Sequence, residues 1–119
     1  MIELNKKEIV LWQAPFEMLY LQNGTPMDVE YLILTNQSLR IEYIEKTPPF
    51  KREIKRIVIS LAELSGTITF KKQENERWKL SIETAETSYS FYVQSDEVDV
   101  KEECEAFLEK VERAVERKQ

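Results

Sequence analysis

Lys46, Lys51, Arg52, Lys55 and Arg56 crowd into one short stretch, opposed only by Glu53, so residues 46–56 carry a net charge of +4. Ammonium and guanidinium groups at this density do one kind of chemistry: they hold anions. The anion can be a lipid headgroup, a nucleic-acid phosphate or an acidic protein face. Each such residue close to an anionic bilayer contributes about 1 kcal/mol. Phe50 sits in the same stretch, behind Pro48-Pro49. An aromatic ring on a proline-stiffened loop can enter a partner's groove or fold back over its own domain. Lys46, Phe50, Lys51, Arg52, Lys55 and Arg56 are therefore the candidate binding residues. The competing expectation is a solvated strand edge, on which lysine blocks edge-to-edge pairing.

The chain as a whole opposes phosphate. Its net charge is −5, whereas nucleic-acid binding draws on a basic surface. Residues 96–119 alone hold nine acids against five bases.

Other chemistries lack their side chains. Histidine is absent and cysteine occurs once, as Cys104. That removes the usual proton carrier near neutral pH, the Cys–His nucleophile pair and the Cys/His zinc site. Glu102, Glu103, Glu105 and Glu109 are numerous, but a catalytic carboxylate needs burial or a close charge to tune it, and the pattern puts these on the wet side of a helix. Two glycines cannot make a glycine-rich phosphate loop. No catalytic residue, metal, cofactor or small-molecule substrate is expected.

The elements that position these groups follow from periodicity. At 119 residues the chain suits one domain, residues 1–119. Ile9–Gln13 is an apolar run that stops at Ala14-Pro15, where a bend is expected, and Met18–Gln22 resumes it. Asn23-Gly24-Thr25-Pro26 reads as a turn. Asp28–Thr35 and Ser38–Lys46 read as a hairpin about Asn36-Gln37, with asparagine taking positive φ. In its second strand Leu39, Ile41 and Tyr43 alternate with Arg40 and Glu42, one face buried and one wet. Arg52–Ser60, Gly66–Lys72, Arg77–Thr84 and Ser88–Val93 complete the strands. Trp12 and Trp78 lie in apolar alternation and are expected in the core. The last segment changes period: Val100, Cys104, Phe107, Leu108, Val111 and Val115 form one helical stripe behind an Asp99 cap.

About seven antiparallel strands followed by one amphipathic helix resemble the pleckstrin-homology (PH) architecture. KKEIVLW, YLILTNQSLRI, VISLAEL, WKLSIETAETSYSFYV and EAFLEKVERAV are together similar to the bacterial PH-like and GRAM-like family. Leu34-Thr35-Asn36 matches that family's strand ending, and Glu105-Ala106-Phe107 matches its closing helix. Ser38 stands where an arginine is usual, and Ile59–Leu64 lacks the usual proline. The resemblance implies an α+β domain: a partly open antiparallel barrel of two near-orthogonal sheets, its end plugged by the C-terminal helix. It also implies an oligomer. Headgroup-binding residues do not carry over, because the corresponding loop, Asn23–Asp28, has no basic side chain.

The expected function is a non-catalytic protein-interaction or assembly module, by strand addition to an exposed sheet edge. The alternative is peripheral binding to anionic lipid through residues 46–56. The lone cysteine, the charge-interleaved N-terminus and the lack of an apolar run of ~20 residues favour the cytoplasm.

Overall fold

The computed structural model describes residues 4–47, 51–65, 67–74, 76–94 and 99–118. They form eight strands in one antiparallel sheet and a C-terminal helix. The strands are β1 (Val10–Gln13), β2 (Met18–Gln22), β3 (Thr25–Thr35), β4 (Ser38–Thr47), β5 (Lys51–Ser60), β6 (Thr67–Lys72), β7 (Trp78–Glu83) and β8 (Ser88–Val93). A 3₁₀ turn, Glu63–Ser65, links β5 to β6, and the helix α1 spans Val100–Lys118. The sheet runs β5-β4-β3-β2-β8-β7-β6, and β1 also pairs with β3. It does not close: β5 and β6 are its two ends.

The expected bend at Ala14-Pro15 divides the first strand. β1 pairs with the C-terminal end of β3 (Val10 opposite Thr35) and β2 with its N-terminal end (Gln22 opposite Thr25). Both halves therefore line one long partner. The turn after β2 is tighter than composition indicated. Only Asn23 and Gly24 lie outside the ladder, at φ 51° and 81°, the left-handed pair a two-residue hairpin demands. Thr25 and Pro26 belong to β3. Proline is accommodated there because pairing with β4 begins only at Asp28, so no ladder bond on that side needs its missing N–H.

Alternation builds the core. Leu39, Ile41 and Tyr43 of β4 point inward, as do Leu80 and Ile82 of β7 and Phe91 and Val93 of β8. Rings gather in two groups. Tyr20 stacks on Phe91 at 5.0 Å and meets Tyr43 at 4.8 Å. Under the helix, Phe107 is fully buried, 4.7 Å from Trp12 and 6.1 Å from Phe70. Trp78 is half-buried and reaches Phe70 at 6.4 Å.

The helix starts as its sequence indicates. Asp99 Oδ1 accepts the Glu102 N–H at 3.2 Å, satisfying an amide that has no partner inside the helix. Val100, Cys104, Phe107, Val111 and Ala114 form the buried stripe, which packs on β1, β6 and the 3₁₀ turn. The helix thus ties the first strand to the last edge.

Truncating the ring at the centre of this contact removes burial and leaves a void. Phe107→Ala is expected to cost about 3–5 kcal/mol in urea unfolding. Glu112→Ala, on the wet side, should stay within about 0.5 kcal/mol of the parent.

Candidate functional site

Among the described residues β5 pairs with β4 alone. The ladder continues past its end, where the Leu61 N–H donates to the Gln37 carbonyl at 3.2 Å. In an antiparallel pair these bonds fall on alternate residues. The odd-numbered residues of β5 therefore spend their amides on β4. Arg52, Ile54, Arg56, Val58 and Ser60 turn their N–H and C=O groups toward the open side.

The same even-numbered residues carry their side chains on the face away from the core. Ile54 is 62% exposed and Val58 54%. Ile44 of β4, opposite Ile54, is half-buried and extends the apolar strip inward. On the core face Ile59 is buried and Ile57 half-buried. At the other end of the sheet α1 packs against β6. The β5 edge combines available backbone with exposed apolar side chains, the combination from which strand addition draws affinity and selectivity.

Three of the basic residues singled out by sequence meet acids. Lys46 pairs with Asp28 at 3.5 Å, Lys55 with Glu53 at 3.1 Å and Arg56 with Glu42 at 2.7 Å. The Glu53 bond holds the Lys55 ammonium above its ordinary pKa. Lys51 and Arg52 are exposed and have no ion pair among the described residues. Lys51 and Lys55 extend the core face of β5, and Arg52 and Arg56 the outer one. Phe50 and the proline pair before it lie outside the described residues.

Two acids expected in water have partners. Glu42 is only 5% exposed, flanked across the ladder by Tyr31 on β3 and Arg56 on β5. Glu103 accepts the Trp12 indole N–H at 3.0 Å, which fixes the ring that packs at a tilt against Phe107.

The strongest polar cluster was not visible in the sequence. Glu8 has a fully buried side chain. Arg40 grips both its oxygens, with Nε 3.1 Å from Oε2 and Nη2 2.9 Å from Oε1. The Thr35 hydroxyl donates at 2.5 Å, the Ser38 hydroxyl at 3.1 Å and the Asn5 N–H at 2.9 Å. Burial pushes the carboxyl up, but these donors outweigh it and hold Glu8 at about 2. Asn36 completes the clamp: its Oδ1 accepts the Ile9 N–H at 2.8 Å and its Nδ2 donates to the Lys7 carbonyl at 3.1 Å. Positive φ falls on Lys7, at 67°, while Asn36 serves through its side chain. The turn Thr35–Ser38 is thus a receptor for residues 5–9. The signal available beforehand was the polar run Thr-Asn-Gln-Ser beside Arg40; its partner lies some thirty positions away.

Cys104 is buried, and burial together with Glu103 and Glu105 pushes its thiol up to about 12, so it stays protonated at neutral pH. Among the described residues no three His, Cys, Asp or Glu side chains gather as a metal site. No described helix is long and apolar enough to cross a membrane. An open groove of about 730 Å³ beside the 3₁₀ turn is lined by Glu63, Glu83 and Glu86 among others. It faces acids toward solvent and brings together no candidate binding residue. Comparison with protein-family models and with curated proteins returns no match for this chain.

The Glu8 clamp gives a pH signature. Its folded pKa lies below the ordinary 4.5, so its contribution is complete above that value and fades as pH falls toward 2. Between pH 6 and pH 2 the parent should lose about 3 kcal/mol more than Glu8→Gln, from the size of the shift. Urea titrations across that range measure it; equal acid slopes would remove the clamp from the stability argument.

Proposed function

We propose that this protein is a non-catalytic interaction or assembly module of PH-like fold, working in the cytoplasm, which binds protein by adding a strand to β5. The observation that carries the reading is the outer side of β5, which no described strand pairs with, beside exposed Ile54 and Val58. The PH-like architecture is supported by the element order. β1 and β2 act as the two halves of one bent first strand, which makes seven functional strands before the helix. The bend at Ala14-Pro15 is the natural place for one sheet to turn into a second, near-orthogonal one. Phe107 of the helix then fills the end between β1 and β6. A buried, protonated thiol and the absence of histidine support a role without turnover.

Peptides selected from a random display library on the immobilised protein test the edge. Binders should share a period-two apolar pattern and lose at least tenfold in affinity on an Ile54→Asp/Val58→Asp double variant, roughly 1.4 kcal/mol or more. Binders that tolerate both substitutions would place recognition elsewhere.

The rival reading, anionic lipid on residues 46–56, is weakened by the three ion pairs that engage Lys46, Lys55 and Arg56. Cosedimentation with phosphatidylserine vesicles should be slight at low salt and vanish at physiological salt. Robust pelleting that is lost on reversing Lys51, Arg52, Lys55 and Arg56 would favour lipid instead.

A further inference from the structure

The strand that offers the edge is also complementary to itself. Building on the edge-strand reading, we propose that β5 pairs antiparallel with β5 of a second copy of this chain, with Arg56 on the two-fold axis and Ile54 opposite Val58 of the partner copy.

Three independent observations select this register. The first is the backbone. Outward amides belong to even-numbered residues, as the Leu61–Gln37 bond establishes. A two-fold axis perpendicular to an antiparallel pair passes through a residue paired with its own copy. For the two ladders to bond, residues with outward amides must face each other, so the centre either carries outward amides itself or lies between two residues that do. Even-numbered residues of one strand therefore face even-numbered residues of the other.

The second is length. β5 runs from Lys51 to Ser60, and centring on Arg56 aligns Arg52 with Ser60 and uses every outward amide between them. Any other centre, odd or even, sets an outward amide opposite a position outside β5.

The third is the pattern of side chains. Ile54 and Val58 lie symmetrically about Arg56 and are its exposed apolar neighbours on the outer face. In this register each sits opposite the other across the new ladder. Directly opposed apolar side chains on one face are the unit of sheet stabilisation. The charges agree. β5 is basic from Lys51 to Arg56 and apolar from Ile57 to Ile59. Antiparallel pairing lays the basic half of one strand along the apolar half of the other, whereas parallel pairing would stack lysine and arginine on themselves. The two Arg56 side chains that meet at the axis each arrive with a carboxylate, since Glu42 holds the guanidinium at 2.7 Å.

One ladder and two apolar pairs make a modest contact, below the ~1,200 Å² of a stable complex. The dimer should form with concentration. Sedimentation equilibrium is expected to show a mass rising from 14.2 kDa toward its double. Val58→Pro removes an outward N–H and no bond to β4, so it should abolish dimerisation while circular dichroism stays that of the parent.

Disulfide trapping tests the register, in chains with Cys104→Ala. Opposed residues of a bonded pair stand about 5.5 Å apart at Cα, within disulfide reach. Arg56→Cys chains should cross-link to one another. Ile54→Cys chains alone and Val58→Cys chains alone should not, but a mixture of the two should give the mixed dimer. The mixed pair leaves the Arg56–Glu42 contact intact, so it decides the matter if Arg56→Cys destabilises the fold. A chain that stays monomeric at all concentrations, or Ile54→Cys chains that cross-link to themselves, would overturn the proposal. A monomer that still binds edge-dependent peptides would leave the strand-addition reading standing; loss of both would remove the two together.

Discussion

An antiparallel sheet that does not close must dispose of two edges, and every edge strand leaves alternate N–H and C=O groups without a partner. Much of this structure follows from how those two edges are treated. At β6 the helix packs alongside, with Phe107 driven between Phe70 and Trp12. At β5 no described strand other than β4 pairs. Its outer face exposes an isoleucine and a valine beside its arginines. The lysines that ordinarily discourage pairing lie on the other face, and Lys55 is held to Glu53. The asymmetry between a helix-flanked edge and an apolar open one gives the fold a direction.

The second constraint is a buried charge. Taking a carboxylate out of water costs several kcal/mol unless its lone pairs are met. Glu8 is met by a bidentate guanidinium, two hydroxyls and a backbone amide. Bidentate charge-assisted bonds are directional as well as strong. The cluster therefore does more than offset its own burial. It joins the segment before β1 to the β3–β4 turn and pins both to Arg40 at the start of β4. That explains a hairpin tip made of Thr-Asn-Gln-Ser: each side chain is a donor or acceptor for residues 5–9.

Local patterns were legible wherever one neighbour in sequence decides the outcome. Alternation at Leu39, Ile41 and Tyr43 gave the buried face of β4, and the stripe through Cys104 and Phe107 gave the helix. Asp99 gave its cap. Reading failed where a distant strand supplies the environment. Glu42 looked wet because it alternates with apolar residues, yet Tyr31 and Arg56 cover it from either side. Glu103 looked solvated on a helix surface, yet Trp12 lies against it. Pro26 read as part of a turn, and its position where β4 has not yet begun to pair let it belong to β3. The basic stretch is continuous in sequence, and strand alternation sets Lys51 and Lys55 on one face of β5 and Arg52 and Arg56 on the other.

The sequence by itself determined the number and type of elements, their breaks and most of the core, because hydrophobic period and turn chemistry act over a few residues. Tertiary structure decided which strand became an edge, which charges met, and which apolar side chains stayed outside. Those outcomes depend on pairings between residues far apart in the chain, such as Glu8 with Arg40 and β1 with β3. A single sequence records such pairings only as separate residues with no stated partner.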